Sequence, residues 1–239
     1  MIFFKIISVE CSASPASCAV IDDGKVRASS FVNAKLTHSQ TLMTMILNTL
    51  DNSNTALCDI DKIAVSAGPG SFTGLRIGIS AVKGLAAPKK TPCIPVSTLE
   101  AMAQNFCDRE CVVCAVMDAR CNQFYNALFE IKDGNIIRMT PDRALLADEL
   151  KAEIAKITPE KQIIICGDGA DLFYKTVCDF DNVYVAPEHL KYQSAIGVGI
   201  FAYKNSDKAE TVSPEKLLPT YLRLPQAERE LKAKTEAKK

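Results

Sequence analysis

Short apolar runs at residues 5–9, 18–21 and 26–31 predict three strands, and Asp22-Asp23-Gly24-Lys25 between the last two is a hairpin signal. Residues 36–50 switch to a helical period. Met43, Ile46, Leu47 and Leu50 fall at i, i+3, i+4 and i+7 and predict the core face, while Leu42 and Met45 make a second apolar edge. A helix of this kind is touched from two sides. The polar run 51–55 ends it, and 60–67 is a strand leading into a glycine-rich turn. The helix predicted at 75–87 carries Leu75, Ile77, Ile79, Ala81, Val82, Leu85 and Ala86 almost all round, leaving only Arg76, Ser80 and Lys83 as a polar stripe. It is either deep in its own domain or covered by a second protein. A strand at 92–96 and a helix at 98–106, capped by Ser97, complete this half.

The order then repeats. Strands at 112–117 and 123–131, a turn at Asp133-Gly134-Asn135 and a strand at 136–139 are followed by a helix at 142–157 and a strand at 162–166. Gly167-Asp168-Gly169 is a second glycine turn, before a helix at 170–177, a strand at 182–186 and a helix at 194–204. Two βββαβαβα halves predict an α/β fold with a partly parallel sheet in each. The expected division is a first lobe at 1–108, a second at 109–225 whose last helix packs back on the first, and a flexible tail at 226–239.

Composition narrows the function. Lys plus Arg and Asp plus Glu are both 28, so the chain lacks the basic excess with which a protein grips nucleic acid unaided. The tail, with five Lys or Arg against three Glu, departs only mildly from that balance. Residues 1–7 imitate a signal peptide, but Lys5 interrupts the apolar run and no small-residue cleavage site follows. No stretch approaches a membrane span, and the expected location is the cytoplasm, with no membrane partner. Most of the ten cysteines sit inside apolar runs and read as reduced core thiols. Cys111 and Cys114 would point to opposite faces of a strand, which is wrong for shared chelation. With only His38 and His189 beside them, no metal site is expected.

The densest motif is Gly68-Pro69-Gly70-Ser71-Phe72-Thr73-Gly74-Leu75-Arg76-Ile77-Gly78, at a strand-to-helix join. Glycines there allow close backbone approach, and Ser71 or Thr73 can cap the helix. Such a turn can hold an anion, which makes Gly68 to Gly74 and Arg76 candidate contacts for a phosphate or shared nucleotide. It is not a P-loop, since no Gly-Lys pair follows the right spacing.

The duplicated order resembles the two-lobed actin-like ATPase superfamily, the ASKHA or ribonuclease H-like fold. Ile7-Ser8-Val9-Glu10-Cys11-Ser12, the stretch around His38-Ser39, Gly68 to Gly78 with Lys83-Gly84-Leu85-Ala86, Val96 to Ala101, Met117-Asp118-Ala119-Arg120 and Pro219-Thr220-Tyr221-Leu222-Arg223 narrow this to a resemblance to the TsaB (YeaZ-like) family. The resemblance is dense over 5–106, patchy over 112–130 and thin beyond.

It implies a non-catalytic partner of the related enzyme TsaD, working with the ATPase TsaE. The complex forms N6-threonylcarbamoyladenosine at adenosine 37 of tRNAs reading codons that begin with A, and tRNA is met only through it. Leu42, Met45, Thr49, Leu75, Ile79, Val82 and Lys83 are then the expected partner interface, which would join two copies when TsaD is absent. Glu10-Cys11-Ser12 reads as a degenerate phosphate loop: it holds no glycine, and the family has Asp where Glu10 stands. Thr98 and Met102 occupy the places of the metal-binding histidine pair of TsaD. No cofactor is expected for the chain alone, with ATP or ADP shared at the interface as the open alternative.

Two enzyme classes compete, an independent ATP-dependent actin-like enzyme and a metallopeptidase-like protein. The loop 10–15 argues against the first and the histidine count against the second. His38 reads as a cap or local hydrogen-bond partner, Asp118 and Arg120 as turn residues at the cleft, Asp168 as a helix cap or a ribose contact, and His189 as a loop residue.

Overall fold

The computed structural model describes residues 4–34, 36–157 and 160–223. Residues 1–3 of the signal-like start at 1–7, and the tail at 226–239, lie outside the described residues. The first lobe contains β1 (Lys5–Glu10), β2 (Ala16–Asp22), β3 (Lys25–Val32), α1 (His38–Asn52), β4 (Lys62–Gly68), α2 (Phe72–Ala86) and β5 (Cys93–Ser97). Then follow α3 (Thr98–Ala103), β6 (Cys111–Asp118), β7 (Gln123–Lys132), β8 (Asn135–Arg138), β9 (Arg143–Leu146), α4 (Ala147–Ile157) and β10 (Ile163–Cys166). The described chain closes with α5 (Ala170–Val177), β11 (Val183–Val185), α6 (Glu188–Lys191) and α7 (Ala195–Lys204). No helix among these residues is long and apolar enough to cross a membrane.

The repeat read in the sequence is a repeat of topology. The first sheet runs β3-β2-β1-β4-β5, with β1, β2 and β3 antiparallel and β4 and β5 parallel to β1. The second runs β11-β10-β6-β7-β8 with the same sense at each step, so β6 takes the place of β1. Period-two alternation sorts each central strand between two cores. Ile7 and Val9 face α1 and α2, while Ile6 shares the opposite core with Val198 and Ala202 of α7. Val113, Ala115 and Met117 face α3, and Val112, Cys114 and Val116 face α4 and α5. Cys111 and Cys114 consequently lie in different cores.

Three details depart from the pattern. Residues 143–146, expected inside a helix, pair with Gln123–Asn126 of β7. Because β8 covers only the far part of β7, the near part has an open edge to recruit them. α2 begins at Phe72 rather than Leu75, with Ser71 as its cap: the Ser71 hydroxyl accepts from Gly74 N at 3.3 Å. His189 sits in the short helix α6 rather than a loop.

The lobes also exchange helices across the expected boundary at 108. Leu99, Met102 and Ala103 of α3 belong to the second-lobe core, where Arg138 holds Glu100 and Asp142 at 2.6 Å each. α7, from the second half, packs on the first sheet, where the Ser8 hydroxyl donates to Ala195 O at 2.7 Å.

Candidate functional site: the inter-lobe cleft

Strands of both sheets end at one cleft of about 550 Å³. Its walls are the β1–β2 turn (Ser12, Ala13, Ser14), the β4–α2 turn (Gly70 to Thr73), the β6–β7 turn (Asp118 to Arg120) and Asp168 after β10, with the segment Thr220–Arg223 along the rim. Topologically equivalent turns from the two halves thus face one another.

The glycine motif serves packing in this structure. Ser71 N donates to Ser12 O at 2.6 Å, and the Cys11 thiol donates to Gly74 O at 3.1 Å. A Cβ at Gly74 would sit on the Cys11 carbonyl oxygen, so the β1–β2 turn lies directly on the start of α2. Gly68, at φ +128, gives the same room to the carbonyl of Thr220 and takes a conformation that L side chains rarely adopt.

Glu10 is wholly buried and does not line the cleft. Its Oε1 accepts from Ser12 N at 2.5 Å, and Oε2 has no partner among the described residues. Burial pushes its carboxyl above the ordinary range, partly offset by the nearby Ser12 and Ser66 hydroxyls and the Ser12 N–H. The His38 ring Nε2 bonds Ala13 O at 2.8 Å, which fastens the same turn to the start of α1. A metal-nucleotide phosphate group would need this carboxylate within reach of the cleft. Sealed beneath its own turn, Glu10 does not fit that task, and no described cluster of three or more His, Cys, Asp or Glu could hold a metal ion.

On the second-lobe side, Asp118 Oδ1 accepts from Arg120 N at 2.7 Å and closes a turn in which Arg120, Cys121 and Asn122 all have positive φ. Asp168 is pushed up to about 6 by burial, with the charges of Asp118 and Glu10 adding to it and the 2.6 Å hydrogen bond from Gln193 Nε2 opposing it. Sequence reasoning missed Gln193, which is buried in a polar segment with no periodic signature.

It also left Thr220 to Arg223 without a role. Thr220 N donates to Ala67 O at 2.7 Å on one lobe and Arg223 Nη1 to Ala119 O at 2.7 Å on the other, so this strap spans the cleft. Arg76, a candidate phosphate contact, holds the strap: its Nε donates to the Tyr221 hydroxyl at 2.9 Å, and its guanidinium lies 3.7 Å from the Phe72 ring centre.

The residues expected at a partner interface lie instead largely within their own lobe. Leu42, Met45, Thr49, Leu75, Ile79 and Val82 are buried in the lobe's own core, and Lys83 is half-buried with its amine on Glu215 O at 3.3 Å. The apolar edge assigned to a partner is the true core face of α1. Met43 and Leu47, assigned to the core, are 42% and 54% exposed, beside Leu36 at 53%. Thr49 decides the rotation: its hydroxyl pairs with Met45 O at 2.7 Å and with Ser30 of β3 at 2.8 Å, which makes a polar residue compatible with burial.

Two lobes of one repeated topology, facing each other across a cleft from which Glu10 is buried away, define a two-lobed α/β protein of the actin-like kind. Residues 32–229 match the family model described as TsaD: tRNA N6-adenosine threonylcarbamoyltransferase. The chain is 29% identical to the tRNA threonylcarbamoyladenosine biosynthesis protein TsaB of Bacillus subtilis over 228 residues, covering 93% of this chain and 96% of that one. It is 35% identical to the Escherichia coli TsaB over 151 residues, covering 62% and 65%. A Pseudomonas aeruginosa crystal structure described as an uncharacterized protein with similarity to peptidase YEAZ superposes with a TM-score of 0.78 at 25% identity, over 92% of this chain and 100% of that one. The chain belongs to the TsaD family of tRNA threonylcarbamoyladenosine biosynthesis proteins, in its TsaB (YeaZ-like) branch.

Proposed function

We infer that this chain is a non-catalytic subunit that docks on a TsaD-type transferase through the outer face of α1 and α2 and activates it in forming N6-threonylcarbamoyladenosine on tRNA. The observation that carries this reading is the apolar face of α1. Met43 and Leu47 of α1 stand exposed, as does Leu36 just before the helix, while Ile77 and Ala81 of α2 are half-buried and the core is complete without Met43 and Leu47. Being about half exposed, Leu36, Met43 and Leu47 each forgo roughly half of the 1.5–3 kcal/mol of full burial, which a partner's surface would recover. The sealed Glu10 turn supports the absence of chemistry in this chain and weighs against an independent ATP-dependent enzyme.

In this reading TsaE acts on the assembled complex, tRNA is met only through it, and the same face pairs two copies when TsaD is absent. The chain alone needs no cofactor, and ATP or ADP binds at the subunit junction or not at all. Reconstituting tRNA modification from cognate TsaD and TsaE, with and without this chain, tests the proposal. Product is expected only when the chain is present, and equal product without it overturns the role.

A further inference from the structure

We propose that Cys107 and Lys204 form a peroxide-driven sulfur–nitrogen cross-link that staples the two exchanged helices together. Lys204 ends α7, and its Nζ lies 3.5 Å from the Cys107 sulfur and 3.4 Å from Gln104 Oε1. Cys107 closes the turn that follows α3, and its thiol also faces Gln104 Oε1 at 3.9 Å. The pair therefore joins the end of the first half's last helix to the end of the second half's last helix, 97 residues apart in sequence.

Chemistry singles out this thiol among the ten. Cys11, Cys18, Cys93, Cys111, Cys114 and Cys166 are buried, and burial raises each of them toward inertness. Cys58, Cys121 and Cys178 are exposed, and the sulfurs of Cys58 and Cys178 face an aspartate and a carbonyl oxygen. Cys107 is half-buried, and its sulfur is the one that receives a hydrogen bond from a lysine amine among the described residues. The amine therefore stands within reach of the sulfur once peroxide has oxidised it.

The step balances with one equivalent of hydrogen peroxide. The thiolate attacks a peroxide oxygen and the O–O bond breaks, giving sulfenic acid and hydroxide. The lysine ammonium loses a proton to that hydroxide. The free amine then attacks sulfur, the S–O bond breaks, and water leaves as the S–N bond forms. Sulfur is oxidised and peroxide reduced, and a thiol returns both side chains to their starting state.

The full chain treated with hydrogen peroxide, quenched with catalase and digested with trypsin without reductant is expected to yield the Cys107 peptide joined to an uncleaved Lys204 peptide. The product should be lighter than the two reduced peptides by two hydrogens and reversed by dithiothreitol. Lys204→Arg keeps the positive charge, and its Cys107 should still be trapped as sulfenic acid by dimedone but form no link. Cys107 oxidised with Lys204 cleaved normally in the wild type, or a link that retains an oxygen between sulfur and nitrogen, overturns the proposal.

Discussion

Arg76 donates to the Tyr221 hydroxyl at 2.9 Å while Tyr221 stacks on Phe72, ring centres 4.7 Å apart, so that a strap from the end of the described chain is clasped to the first turn of α2. A residue that the motif alone suggested for phosphate is occupied in holding the cleft rim. Thr220 and Arg223 then fasten the strap to opposite lobes, which makes the rim a structural bridge between them.

Replacing Tyr221 by Ala should release this bridge locally. The hydrogen bond and ring stack contribute about 1–2 kcal/mol together, discounted because the tyrosine is 39% exposed. Hydrogen exchange at the Thr220 amide, bonded to Ala67 O, should accelerate while core strands such as β6 keep their protection. Unchanged Thr220 protection would show that the clasp does not hold the strap.

Two glycines of α2 should respond to alanine in opposite directions. At Gly74 the new methyl meets the Cys11 carbonyl, a backbone atom that cannot yield cheaply, and a loss of about 1–3 kcal/mol is expected. At Gly84 nothing lies within 4 Å, and removing a helical glycine should gain up to about 1 kcal/mol. Urea unfolding midpoints for the two variants check the contrast, and similar shifts would refute the packing role given to the motif.

The docking face has a test that separates it from folding. Met43→Asp with Leu47→Asp changes exposed positions and should alter stability by about 0.5 kcal/mol or less per site. The same pair should abolish co-purification with TsaD. Met45→Asp buries a charge in the lobe's core and should unfold it, so lost binding there carries no information about the interface. Retained binding by the folded Met43/Leu47 variant removes this face from the proposal.

That distinction marks how far the sequence alone reaches. Element order and the two glycine turns were legible because strands of period two and helices of period 3.6 leave different apolar spacings. The rotation of α1 was not. Leu42, Met45, Ile46 and Thr49 form one i, i+3, i+4, i+7 stripe, and Met43, Ile46, Leu47 and Leu50 form another. The second is the more apolar, and the first is the one buried because tertiary contacts, such as the bond between Thr49 and Ser30, accommodate its polar member. The same limit hid the sealing of Glu10, which depends on the Ser12 amide two residues along folding back onto it.

Asp168 should give the cleft a measurable pH signature. Its carboxyl is raised from 3.8 to about 6 in the folded protein, so across that window the native state holds more protons than the unfolded chain. Stability from this group is therefore fully present below about pH 4 and is lost as pH rises through about 6. Each tenfold difference in proton affinity between the folded and unfolded chain is worth roughly 1.4 kcal/mol, and the partial exposure of the side chain reduces what is observed. Glu10 is raised too and acts with the same sign. Carboxylates lowered by cations, such as Glu130 beside Lys161, act oppositely, so the difference between wild type and Asp168→Asn isolates the effect. The asparagine keeps an oxygen for Gln193 Nε2 but cannot ionise, and it should gain stability over the wild type progressively from about pH 4 to about pH 7. Parallel stability profiles for the two proteins would mean that Asp168 ionises as readily folded as unfolded, and that the cleft floor does not withhold water from it.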